Sequence, residues 1–204
     1  MSSSSTSTTP SPTSPTPLHA TLVRTTHRFL STFSPPSTAS TSSINPINLH
    51  FTTTKNYTHT IGPAFFVASS PNKDHLANVQ TAADFAKHLD RMSRAFVRSE
   101  TWVRRTRATP TPTPTTEGGG VEGEEEIVVD VHRKVVVVDV VHRIVVKGQG
   151  DEKKRTVDNE VTWWLQMSGD GKLVERSREV VDGVASAEIA RLVGVWRESV
   201  TGEV

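Results

Sequence analysis

The chain has 204 residues, 34% of them hydrophobic and 22% charged, with a formal net charge of +1. That is too apolar for a wholly disordered chain and too polar for a membrane protein, and the balanced charge argues against a dedicated nucleic-acid binder. Cysteine is absent, which removes disulfide frameworks, thiolate metal sites and cysteine nucleophiles.

Residues 2–16 contain only Ser, Thr and Pro. Such a stretch buries too little apolar area to offset its ordering entropy, so residues 1–16 are read as a disordered tail and 17–200 as a single domain. No acidic residue precedes Asp74, and the first 73 residues carry only Arg24, Arg28, Lys55 and Lys73. An acid-free, Ser-rich start with an Arg-bearing segment is one mark of a mitochondrial transit peptide. Arg24 and Arg28 alone are sparse for that role, so a cytoplasmic location is the expectation. Neither a secretory apolar run nor a membrane-spanning run occurs, so no membrane association is expected and the Asn56-Tyr57-Thr58 sequon should go unused.

The first predicted element is a helix from Pro17 to Phe33, because Leu18, Leu22, Thr25, Phe29 and Phe33 recur at helical spacing. Pro35 and Pro36 end it. Residues 34–60 are rich in Thr and Ser, with short apolar pieces at Ile44–Phe51, and predict turns, one short helix, then a loop or short strand. Thr81 then caps a second helix with Asp84 as its capping-box partner, and Phe85, Leu89, Met92 and Phe96 form its apolar stripe. His88 lies on the flank of that stripe as a partly buried packing residue.

From Arg98 the pattern changes to strands. Thr101–Arg107 is the first, and Ala108–Glu126 is a Thr-Pro, Gly and Glu tract read as a flexible insertion. Ile127–Val131 is the next strand, closed by the turn His132-Arg133-Lys134. Val135–Val146 is almost continuously β-branched, as in strands buried on both faces. Thr156–Met167 and Lys172–Val181 form a hairpin around Ser168-Gly169-Asp170-Gly171. Ser186 is the expected N-cap of a terminal helix carrying Ile189, Leu192, Val193 and Trp196 on one face. Helices first, an antiparallel meander and a closing helix make an α+β layout.

The tract DNEVTWWLQMSGDGKLVERSREVVDG (Asp158–Gly183) resembles the last hairpin of SnoaL-like proteins of the nuclear-transport-factor-2-like superfamily. The shared features are a strand with Asn-Glu and Trp, a tight Gly-Lys turn, and a strand ending in acid-x-x-Asp. IVVDVHRKVVVVDV resembles the Val-rich hairpin of that family, and HTIGPAF (His59–Phe65) the segment before its sheet. The insertion and the long polar segment before His59 depart from the pattern. The resemblance implies a cone-shaped fold, a curved antiparallel sheet wrapped around helices and enclosing an apolar pocket. Members include polyketide cyclases, dehydratases, isomerases, epoxide hydrolases and non-catalytic binding or dimerising domains, so fold alone does not decide function.

Glu179, in Arg-Glu-Val-Val-Asp, is the candidate catalytic carboxylate. In some epoxide-hydrolysing members an Arg-Asp pair at a matching place on this strand carries a catalytic acid. If Glu179 points inward, burial should raise its pKa and suit it to proton transfer; the alternative is a strand glutamate paired with Arg176 or Arg178. Strand alternation leaves two registers open. With an even turn, Glu175, Ser177, Glu179 and Val181 pair with Glu160, Thr162, Trp164 and Gln166; with a bulge they pair with Asn159, Val161, Trp163 and Leu165.

Trp102, His142, Asn159 and Trp163 are the expected pocket residues. Asp139 and His142 fall on opposite faces of one strand and so form no dyad, whereas Asp139 and Arg143 share a face and can pair. His59, in a loop before Gly62-Pro63, is a second candidate pocket histidine, with a structural or exposed role the expectation. Arg98, Arg104, Arg105 and Arg107 around Trp102 fit a solvated strand better than a nucleic-acid site. Asp130 and His132 lack a third metal ligand, and Gly118-Gly119-Gly120 is linker rather than phosphate loop. The expectation is a homodimeric domain enclosing a small apolar ligand, without cofactor or metal. It is either a lyase, cyclase or isomerase that moves a proton with a carboxylate, or a non-catalytic interaction module.

Overall fold

The computed structural model describes residues 16–34, 47–63, 67–68, 79–105, 125–148 and 155–201. The tail before Thr16 and most of the 108–126 insertion lie outside the described residues, as does Arg107. Helix α1 (Pro17–Leu30) continues through a 3-10 turn to Phe33. Thr16 caps it, its hydroxyl accepting from the His19 amide at 3.2 Å. A short helix α2 (Ile47–Thr52) leads into β1 (Thr53–Gly62), and β2 (Gln80–Thr81) into α3 (Ala82–Ser93). Thr81 and Asp84 form the expected capping box. The chain then turns at Arg94 and Ala95, so Phe96 opens β3 (Phe96–Val103) rather than extending the α3 stripe. Strands β4 (Ile127–Asp130), β5 (Val135–Val146), β6 (Arg155–Met167) and β7 (Val174–Val181) follow, and α4 (Gly183–Thr201) closes the chain.

Among the described residues seven strands form one open sheet in the order β2-β1-β7-β6-β5-β3, with β4 paired to β5 beyond the end of β3. The layout is α+β as expected, but the sheet is mixed. β1 runs parallel to β7, while the other pairings are antiparallel. The segment ending at Gly62, expected as a loop or short strand, is thus a ten-residue strand.

The core lies on the inner face. Alternation on β6 buries Asn159, Val161, Trp163, Leu165 and Met167, and on β5 Val136, Val138, Val140 and His142. Leu22 and Phe29 of α1 and Phe85 of α3 pack onto them, and the Phe29 and Trp163 rings meet edge-to-face at 5.3 Å. Ile189, Leu192 and Val193 of α4 cover Phe96 and Val146 at the other end. The expectation that β5 is buried on both faces fails: Val137 and Val141 are half-buried, because the described helices pack on the inner face only. Trp102 and Trp164 stand 39% and 42% exposed on the outer face. The expected Asp139–Arg143 pair is replaced by cross-strand partners. Arg143 makes a two-pronged contact with Asp158 at 2.8 Å, and Asp139 accepts from Thr162 directly opposite. Arg104 and Arg105 pair with Glu160 and with Glu125, which fits the solvated-strand reading. No helix among the described residues is long and apolar enough to cross a membrane.

The β6–β7 turn is tied to α1. Gly171 has φ +74°, and a Cβ there would meet Leu18 and Leu22 at 3.1 Å; its carbonyl accepts from the Thr25 hydroxyl at 2.7 Å. Gly171→Ala should therefore lower stability by about 1–2 kcal/mol from the left-handed backbone alone. Gly169→Ala, with open space around it, should change little. Urea unfolding of the two variants checks both.

Candidate functional site

The register between β6 and β7 decides which side chains meet. Trp163 stands opposite Glu179, Leu165 opposite Ser177 and Val161 opposite Val181, with an irregularity between Gln166 and Met167. This is the bulged alternative. It turns Ser177, Glu179 and Val181 inward and sends Arg176, Arg178 and Val180 outward. Glu179 is consequently separated from both arginines by the sheet itself.

A cavity of about 230 Å³ opens on the inner face. Phe33, Phe85, Phe96 and Trp163 supply aromatic walls, while Glu179, His142, Asn159, Ser186 and His88 bring polar groups into its lining. Four of the five expected site residues, Glu179, His142, Asn159 and Trp163, thus border one cavity. Trp102 does not. It lies on the outer face, where the Arg143 guanidinium sits 5.1 Å from its ring centre, because from Arg98 onward even-numbered positions of β3 pair with odd-numbered, outward positions of β5.

Strand β1 adds two residues to the site: Tyr57, which the sequence did not single out, and His59, the second candidate pocket histidine. His59 is fully buried and stacks on Phe85, with ring centres 3.8 Å apart. Its Nδ1 lies 2.8 Å from Ser177 Oγ, which lies 2.5 Å from the Tyr57 hydroxyl, and its Nε2 lies 3.8 Å from Glu179 Oε1. At that length the last contact is an ion-pair distance, and Nε2 has no hydrogen-bond partner. The readable signal was the alternation of Tyr57, His59 and Ile61, which a polar sequence context concealed.

Electrostatics separate the two central groups. Burial pushes Glu179 upward, as expected for an inward carboxyl, but the His59 imidazole and the nearby His142 and His88 rings outweigh it and hold the carboxyl below its ordinary range. That shift favours the carboxylate form at neutral pH, which is the form able to accept a proton. His142 behaves oppositely. Burial lowers it to about 4, against a smaller upward pull from Glu179, so it is neutral. Both its nitrogens are occupied: Nδ1 lies 2.6 Å from Thr101 Oγ1, and Nε2 accepts from Trp163 Nε1 at 3.4 Å. This geometry places His142 in the cavity wall with both ring nitrogens engaged.

At the far end of the inner face, Asn159 donates Nδ2 to Ser186 Oγ at 3.2 Å, leaving its buried Oδ1 without a partner. Ser186 is free for this contact because it is not the N-cap. Helix α4 begins three residues earlier, and Asp182 caps it by accepting from the Val184 amide at 2.8 Å. Among the described residues no group of three or more His, Asp or Glu side chains is arranged to hold a metal ion.

His142 generates a pH prediction. Its folded pKa lies below the unfolded value near 6.5, so the unfolded chain binds more protons between those limits. Its neutral, buried state is fully compatible with folding above about pH 6.5. Stability should then fall as the pH drops toward 4, by on the order of 3 kcal/mol from this group. His88, also lowered by burial, adds a contribution of the same sign. Urea unfolding from pH 7 to 4 should show the decline, and His142→Gln should flatten it.

No protein-family model matches the sequence, and no curated protein matches it. Solved structures do. PrhC from Penicillium brasilianum superposes with a TM-score of 0.61 at 14% identity, covering 89% of this chain and 93% of PrhC. BvnE pinacolase from Penicillium brevicompactum gives 0.59 at 13% identity, covering 90% and 98%. A chain assigned as a SnoaL-like polyketide cyclase from Jannaschia sp. CCS1 gives 0.55 at 13% identity, covering 87% and 96%. At such identities the likeness concerns the fold. The open mixed sheet, the helices on its inner face and these superpositions together give the chain the SnoaL-like, nuclear-transport-factor-2-like fold.

Proposed function

We propose that this chain is an enzyme that encloses a small, largely apolar molecule and moves a proton with Glu179, in a lyase, cyclase or isomerase reaction. The observation that carries the reading is a carboxyl group on the wall of an aromatic cavity, with a buried imidazole 3.8 Å away and the arginines of its strand on the other side of the sheet. Low-dielectric walls strengthen each charge interaction within the cavity, and a positioned carboxylate abstracts a proton from a substrate held against it. Asn159 Oδ1 offers an acceptor to a hydroxyl or N–H of the substrate. The neighbouring folds named as a pinacolase and a polyketide cyclase support trying vicinal diols and polyketide-type carbonyl compounds first.

A homodimer is the second part of the proposal. It draws on the half-exposed indoles of Trp102 and Trp164, which share the outer face of the sheet. A dimer without catalysis is the competing reading, and one experiment separates them. Native mass spectrometry of gently purified protein should show a dimer carrying a defined small-molecule mass. With that molecule, or with a responding member of the two compound classes, Glu179→Gln should reduce kcat by ~100-fold or more while binding persists. Unchanged turnover would remove the carboxylate from the chemistry, and a monomer at micromolar concentration would remove the dimer.

A further inference from the structure

Tyr57, Ser177, His59 and Glu179 lie in one line across β1 and β7, and each contact constrains where the protons sit. The Tyr57 hydroxyl and Ser177 Oγ are 2.5 Å apart, and Ser177 Oγ and His59 Nδ1 are 2.8 Å apart. A serine hydroxyl has one proton, so it can donate to only one of these neighbours. Two directions are possible.

If Nδ1–H donates to Ser177, the serine donates to Tyr57, and the phenol proton is left without an acceptor among the described residues. His59 Nε2 would then turn a bare lone pair toward the Glu179 carboxylate, which repels it. In the other direction Tyr57 donates to Ser177, Ser177 donates to Nδ1, and Nε2–H faces the carboxylate. Every proton in that arrangement points at an acceptor. Burial raises the Tyr57 pKa above its ordinary value, so the phenol keeps the proton it must donate. The imidazole is prevented from turning by its stack on Phe85, 20° from parallel, and by Trp163 at 5.6 Å.

We infer that Tyr57 and Ser177 lock His59 in the tautomer with its proton on Nε2, making the three of them positioning residues that present one N–H to Glu179. The inference rests on the reading of Glu179 as the proton acceptor. The 3.8 Å gap suits it, since catalytic hydrogen bonds are often long before a substrate is bound and tighten in the complex. The approach of Nε2 is to one carboxylate oxygen, Oε1. The orientation of the base is thereby set from β1, a strand whose tyrosine and serine-bound histidine never need to touch the substrate.

The test is long-range 1H–15N spectroscopy of the imidazole rings in the full-length, 15N-labelled chain at neutral pH, with His59 assigned by His59→Gln. The expected spectrum has His59 Nε2 protonated and Nδ1 unprotonated. In Ser177→Ala, provided the His142 signals show an intact fold, the single tautomer should be lost, and Ser177→Thr, which keeps the hydroxyl, should restore it. A proton on Nδ1 in the unmodified chain overturns the inference, as does a Ser177→Ala variant with an unchanged His59 ring. If Ser177→Ala does not fold, the unmodified chain decides alone. The spectrum needs no substrate, which separates the two readings. A wrong tautomer with inactive Glu179→Gln removes the relay and leaves the base. The right tautomer with fully active Glu179→Gln removes the base, and the positioning role falls with it.

Discussion

The β6–β7 register governs the rest of the molecule. Side chains alternate across a sheet with a period of two, so a one-residue slip at the Gln166–Met167 irregularity would send Glu179 and Ser177 to solvent and bring Arg178 inside. The cavity would then face an unpartnered guanidinium. With the observed register, β7 offers β1 a serine and a carboxylate on its buried side, and His59 can pair with both. The turn that sets this register is pinned from outside by Thr25 and the close approach of α1 to Gly171.

Much of the fold was legible because certain segments admit one reading. The run Val135–Val146 is β-branched with few interruptions, and the strand spans those residues. Thr81 and Asp84 combine a cap with its reciprocal partner, and α3 starts there. Boundaries were less secure where two residues compete for one role. Ser186 and Asp182 both suit an N-cap, and Asp182 takes it because its carboxylate reaches two amides. Phe96 continues the spacing of the α3 stripe yet belongs to β3, since apolar spacing does not record a turn.

The site was only half legible, for a physical reason. His142, Asn159 and Trp163 lie on strands whose apolar residues mark the inward face, so their common wall could be anticipated, whereas the face of Glu179 depended on the β6–β7 register, which two turn geometries left open. Tyr57 and His59 lie on a strand whose buried side is partly polar, and polarity reads as exposure when the partner is unknown. Their partner, Ser177, is 118 residues from His59. Trp102 erred the other way: a large aromatic beside an apolar strand looks like pocket, but its register pairs it with the outer face.

That separation shapes how the chain acquires its site. β1 can complete its pairing only once β7 has been synthesised. Until then its backbone edge and its histidine have no permanent companion, and the cavity has one wall missing. Long-range parallel pairing of this kind raises contact order and slows folding, since loop closure must precede the contacts that reward it. The His59–Glu179 geometry therefore forms only after β7 has been made, and a nascent chain interrupted before it carries six of the seven described strands with an open strand edge exposed to aggregation.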